Sequence, residues 1–183
     1  MMSKEELLKQ LERAMGKSTV LKLAALSSQS TNLIRDLIDL SFYPEKVIAF
    51  RASWILENIF LEWKDLFWDE LPLFFVKYPL QSNDSCRRHF TKIMMEITKR
   101  RQDVETAEWE PVIEATFGWL VDPASPVAVQ ANCIDILFNL RDEDDWIGSE
   151  LKAQVQFLLK NGTAAIQARG KKILGKLNKE ING

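Results

Sequence analysis

One helical register recurs four times along the chain, and it constrains the fold more than any other feature. The segments Ile48 to Ile59, Cys86 to Ile97, Val129 to Leu140 and Ile166 to Leu177 align without gaps. Their last residues are 38, 43 and 37 residues apart. Counting back from each end, position −4 is always isoleucine: Ile55, Ile93, Ile136 and Ile173. Position −3 gives Leu56, Met94, Leu137 and Leu174, and position −7 gives Ala52, Phe90, Cys133 and Gly170. Position −11 gives Ile48, Cys86, Val129 and Ile166. Spacings of three, four and seven place these residues on one face of a helix. A period near 40 residues marks stacked helical units that cannot bury their apolar faces alone and so share a continuous core.

The rest of the chain agrees with an all-helical reading. Leu7, Leu8, Leu11 and Met15 form an early stripe behind Ser3, with Glu6 placed to complete a capping box and Gly16 as the expected stop. Leu33, Ile34, Leu37, Ile38 and Leu40 form a second stripe. Pro44, Pro72, Pro111 and Pro126 stand just ahead of apolar stripes, where a missing N–H leaves no intrahelical bond unmade. Asp84 and Thr163 are candidate caps for two further helices. No alternating strand pattern bounded by hairpin turn residues occurs, and about nine or ten helices are expected. We expect a single domain over residues 1–183, with N-terminal capping helices in 1–30 and helical hairpins over 31–61, 62–102, 105–141 and 145–180.

The run Val121-Asp122-Pro123-Ala124-Ser125-Pro126-Val127-Ala128-Val129-Gln130-Ala131 resembles the turn and second-helix entry of HEAT/armadillo repeats, and Pro111-Val112-Ile113 resembles the start of their first helix. The resemblance covers roughly residues 31–180 and implies a right-handed α-α superhelix of about four helical hairpins. HEAT units often carry an arginine early in helix B. Here Arg87 fits, while Ala49, Gln130 and Gln167 occupy that column in the other repeats.

In HEAT-like proteins the B helices line the concave surface, so the resemblance directs attention to their polar columns. Position −8 gives Arg51, His89, Asn132 and Arg169; position −5 gives Trp54, Lys92, Asp135 and Lys172. Position −1 gives Asn58, Glu96, Asn139 and Lys176. From these we select Arg51, Trp54, Asn58, His89, Lys92, Asn132, Asp135, Arg169 and Lys172 as a groove for a protein or peptide partner. Trp, Arg and His are types that make anchor contacts. A solvated polar face is the competing explanation.

Charge is segregated even though the formal net charge is -2. Arg87, Arg88, Lys92, Lys99, Arg100 and Arg101 fall in one run with the single acid Glu96; six acids and no Lys or Arg follow from Asp103 to Asp122. Arg169, Lys171, Lys172, Lys176 and Lys179 form a second basic group. This leaves nucleic-acid binding, in the manner of HEAT-like DNA alkylation-repair glycosylases, as the alternative function. Asp135 interrupts the basic stripe and argues against it.

Chemistry-bearing motifs are lacking. No G-x-G-x-x-G, G-x-x-x-x-G-K-[ST] or G-x-S-x-G occurs, and the one histidine precludes a multi-histidine metal site. Cys86 and His89 are three apart, but the register puts Cys86 in the core column and His89 in the polar one, so no catalytic pair is expected. Neither catalytic residue, metal nor other cofactor is expected. Trp63, Phe67, Trp68, Phe74 and Phe75, together with Trp109, Phe117 and Trp119, read as packing. The two cysteines, the charged N-terminus without an apolar h-region, and apolar stretches of about six residues against the roughly 20 a membrane span needs predict a cytoplasmic protein with no membrane partner. An apolar end face of so short an array would also permit self-association.

Overall fold

The computed structural model describes residues 2–27, 31–104 and 108–181. Among these are eleven α-helices and no strand. Helices α1 (Lys4–Glu12) and α2 (Lys17–Ser27) precede four hairpins. The hairpins are α3 (Thr31–Leu40) with α4 (Lys46–Glu62); α5 (Lys64–Trp68) and α6 (Leu71–Lys77) with α7 (Asp84–Thr98); α8 (Glu110–Val121) with α9 (Val127–Asn139); and α10 (Asp145–Leu158) with α11 (Ala164–Ile181). Residues 28–30 of the expected capping region and Glu105 of the acidic run lie outside the described residues. The chain divides into two compact units, Met1–Ile93 and Met94–Gly183, and the division falls inside α7.

The repeating register becomes the core. Ile55, Ile93 and Ile136 are fully buried and Ile173 is 2% exposed. Every residue at positions −11, −7 and the segment end is buried as well. Removing one such isoleucine side chain to alanine costs about 2–5 kcal/mol in comparable cores.

In the first unit the capping box forms as expected: the Ser3 hydroxyl accepts from the Glu6 N–H at 3.2 Å, and the Glu6 carboxylate accepts from the Ser3 N–H at 2.8 Å. Those bonds hold the exposed Glu6 carboxyl below its ordinary pKa. Helix α1 stops at Glu12, a turn before Gly16, because Arg13 is extended and its N–H bonds back to Gln10. Met15 therefore lies between helices, and Gly16 instead accepts the first backbone bonds of α2, from Thr19 and Val20. The early turn lets α2 pack Val20, Leu23 and Ala24 inward.

The second hairpin departs from expectation in its A helix, which is broken at Asp69–Glu70 into α5 and α6, with Pro72 in the first turn of α6. The break raises the helix number above nine or ten. The aromatics on both sides of it stack inward: Phe60–Phe67 at 5.1 Å, Phe67–Phe74 at 5.3 Å and Phe74–Phe90 at 5.0 Å between ring centroids. Edge-to-face and tilted pairs of this kind add to the area they bury. Trp63 and Trp68 are half-buried. Glu70, at the break, is buried and bonds Arg35 at 3.1 Å.

In the second unit Asp122 closes the α8–α9 turn by accepting from the Ala124 N–H at 2.9 Å. Gln130 donates to the carbonyls of Leu120 and Asp122, both at 3.3 Å, and Gln167 donates to that of Leu159 at 2.6 Å. In the first unit Arg87, in the same column, donates to Gln81 at 2.7 Å. The two glutamines thus do the arginine's work. All three satisfy carbonyls left open at the end of the preceding segment. Gly170 is the small member of its column because α10 passes close by. A Cβ there would sit 2.9 Å from Val155 Cγ1 and 3.1 Å from Leu159 Cδ2.

Candidate functional site

The three polar columns of the B helices do different work. Position −8 is mostly engaged by the preceding repeat or cap. Arg51 reaches from α4 to the last turn of α1 and donates to the Leu11 carbonyl at 2.7 Å. Arg169 of α11 forms an ion pair with Asp135 of α9, the preceding B helix. His89, expected on the exposed side, is buried at 7% exposure, and its Nδ1 lies 2.5 Å from Glu57 Oε2 of α4. In each case the side chain reaches back to the preceding repeat or cap. A donor early in one helix meets a carbonyl or carboxylate of the preceding repeat or cap. Asn132 is half-buried on α9.

His89 completes an aromatic ledge in the first unit. Its ring centroid lies 5.3 Å from that of Phe50, and Phe50 lies 5.9 Å from Trp54. Glu57 accepts the Nδ1 hydrogen, which fixes the imidazole ring, while Nε2 is buried without a hydrogen-bond partner. Phe50 and Glu57 lie outside the three polar columns of the repeat register. Glu57 is at position −2 of its own helix, and its relation to His89 of the next repeat has no signal in a single helix's periodicity.

Position −5 is the column left for other work in the first unit. Trp54 is half-buried at the edge of the ledge, and Lys92 is half-buried on α7 with no carboxylate partner among the described residues. Asn58 is turned onto its own helix, donating to the Trp54 carbonyl at 2.8 Å. In the second unit Asp135 is taken up by Arg169, and Lys172 is exposed. At position −1, Asn139 donates to Thr98 Oγ1 at 3.0 Å, while Lys176 lies 5.1 Å from the Phe138 ring.

The basic run is largely neutralised locally. Arg87 pairs with Asp84, Lys99 with Glu96 and Arg100 with Asp103, each three residues along the chain. Arg101 pairs with Asp142 at 3.1 Å and Glu143 at 3.2 Å. Both cysteines are free and buried, and burial pushes the Cys86 thiol up to about 11, against a hydrogen bond with Ser53. Among the described residues no group of three His, Cys, Asp or Glu side chains is placed to hold a metal ion. Among them no helix is long and apolar enough to cross a membrane.

Among solved structures, that of an engineered protein is similar with a TM-score of 0.49 and 14% identity, covering 98% of this chain and 100% of that one. No curated protein matches at a significant level. The HEAT repeat domain family matches residues 7–177, a span that runs from within α1 to within α11. The chain belongs to the HEAT repeat domain family.

Proposed function

We propose that this chain is a non-enzymatic interaction module that binds a protein or peptide segment on its B-helix side, with Trp54 as anchor and Lys92 as the charged contact beside it. The observation that carries this reading is the Phe50–Trp54–His89 ledge, locked from behind by Glu57. A tryptophan already held at one edge by a neighbouring ring loses little conformational freedom on binding. HEAT repeats generally mediate protein interactions, and the family supports that class of function here. Asn58, Asn132, Lys172 and Lys176 would form a polar rim, while Arg51, His89, Asp135 and Arg169 act by holding the repeats together. The two buried free thiols fit a reducing compartment, and we place the module in the cytoplasm.

A photo-crosslinking amino acid at position 54, compared with one at the exposed Val76 of α6, tests the assignment in extracts of the source cell. We expect a discrete crosslinked protein product from position 54 and none from 76. Trp54→Ala should weaken recovery of that partner by about 30-fold, the size of a hot-spot truncation. Recovery unchanged by both Trp54→Ala and Lys92→Glu would sink the assignment.

A further inference from the structure

The second unit carries an aromatic cleft apart from the polar columns of the B helices. It has a volume of about 410 Å³ and lies where the N-terminal ends of α8 and α10 meet. Trp109 and Trp146 line it, with Ile113 and Ile147 as buried apolar lining. Glu110, Glu114, Glu143 and Asp144 supply carboxylates; Glu143 is paired with Arg101, and the other three have no cationic partner among the described residues. Trp146 is 47% exposed and is supported by Phe117 of α8, at 5.3 Å between ring centroids.

Part of this has an internal explanation. Glu110 is the first residue of α8 and Asp144 is the N-cap of α10, where negative charge is favoured by the helix dipole. Glu114 stands a full turn further in and lacks that reason. Nor does the dipole account for an indole left half in water in a cleft lined by four carboxylates. An electron-rich ring face and carboxylates both attract a cation. Among the described residues the carboxylates are not gathered into a metal-holding group, and the two indoles that line the cleft with them suit an organic cation.

The surface beyond the cleft identifies what carries that cation. Glu110, Glu114, Phe117 and Val121 fall at spacings of four, three and four residues along α8, so they share one face. Along it the acids give way to the half-buried Phe117 and then to Val121, 50% exposed. Gly118, beside Phe117, has open space where a Cβ would be. A free amine in the cleft would leave this apolar extension uncovered, whereas a polypeptide would cover it.

We propose that the α8–α10 cleft docks a partner polypeptide through a lysine or arginine side chain, with apolar residues of the same segment lying over Phe117 and Val121. The site is on the A helices of the second unit and is independent of the Trp54 ledge.

The probe is a capped nonapeptide of lysine, leucine and alanine, with a counterpart carrying glutamate for each lysine. The readout is the indole N–H resonances of Trp109 and Trp146 in the 15N-labelled full chain. The lysine peptide should shift both resonances saturably, and the glutamate peptide should not. Raising salt should weaken the effect, since exposed charges are screened. Trp146→Ala, followed at Trp109, and Glu114→Lys should each weaken binding about tenfold, the scale of a desolvated cation–π contact. Trp54→Ala should leave it unchanged. Circular dichroism verifies that each variant keeps its helix content. Absence of any shift at millimolar lysine peptide, or an equal response to the glutamate peptide, overturns the proposal. So does spermidine saturating the cleft as tightly as the peptide, because a small amine alone would then suffice.

Discussion

Two glycines in α11 should respond in opposite senses to the same substitution. Gly170 and Gly175 are five residues apart in one helix, so Gly→Ala changes backbone propensity alike at both, by about 0.8–1.0 kcal/mol in favour of alanine. At Gly175 a Cβ meets nothing within 4 Å, so Gly175→Ala should keep most of that gain. At Gly170 the Cβ would stand 2.9 Å from Val155 Cγ1, and 3.1 and 3.3 Å from two atoms of Leu159. Leu159 can rotate away at small cost. Val155 is fully buried, and a β-branched side chain within a helix is held to essentially one rotamer. The strain therefore passes into the α10–α11 spacing, at about 1–3 kcal/mol for an added methyl in a packed core. The net result should be a loss of about 1 kcal/mol for Gly170→Ala, placing the two variants about 2 kcal/mol apart. Urea denaturation with matched m-values measures this difference directly. Val155→Ala creates a cavity of its own, but in its background Gly170→Ala should become neutral or stabilising. If Gly170→Ala stabilises the chain as much as Gly175→Ala, close approach is not the reason for glycine in the fourth repeat.

Three further outcomes follow from the bonds between repeats. Arg51→Ala leaves the Leu11 carbonyl without its charged donor and should cost about 1–2 kcal/mol, with faster amide hydrogen exchange confined mainly to α1. A double-mutant cycle of Glu57→Gln and His89→Gln should show a coupling of about 1 kcal/mol in thermal or urea unfolding; a value near zero would mean the 2.5 Å contact is energetically idle. Burial raises the Cys86 thiol from 9.0 to about 11, so the unfolded chain loses that proton first. Stability from this group is complete below pH 9 and is lost as pH rises toward 11. The fall in Tm from pH 8.5 to 10.5 should be smaller in Cys86→Val, and an equal fall in both proteins would refute the linkage.

The burial pattern was legible in the sequence because burial is a property of one helix at a time. The isoleucine column, the capping box of Ser3 and the prolines ahead of helices all depend on residues within a few positions of each other. The break between α5 and α6 was harder to read. Leu66, Phe67 and Leu71 continue an apolar pattern across it, and Pro72 marks a helix start without showing that another helix ends just before it. The end of α1 depended on how α2 packs, which the stripe from Leu7 to Met15 does not encode. Polar side chains were the least legible part. His89 fits the polar side of its helix by spacing, yet Glu57, 32 residues earlier, draws it inward. Arg169 and Asp135 both fall in the polar columns of helix B, and they pair with each other. Such pairings are properties of two helices together and leave no trace in the periodicity of either.

The register of helix B therefore carries a division of labour that hydrophobic spacing alone would blur. Position −10 ties helix B to the end of the preceding segment, through Arg87, Gln130 and Gln167. Position −8 ties it to the repeat or cap before it, through Arg51, His89 and Arg169. Those two columns lie early in the helix, so their side chains meet carbonyls and carboxylates already ordered upstream. Position −5, a turn later, lacks that obligation in the first unit, and it is where Trp54 and Lys92 stand. The same polar face thus holds residues that fasten one repeat to the next and residues that do not. Alanine substitutions should sort by column: at −8 they lower the unfolding free energy, and at −5 in the first unit they leave it nearly unchanged while altering recognition. A variant that loses partner binding is informative about the interface only when its column is not one that fastens the repeats.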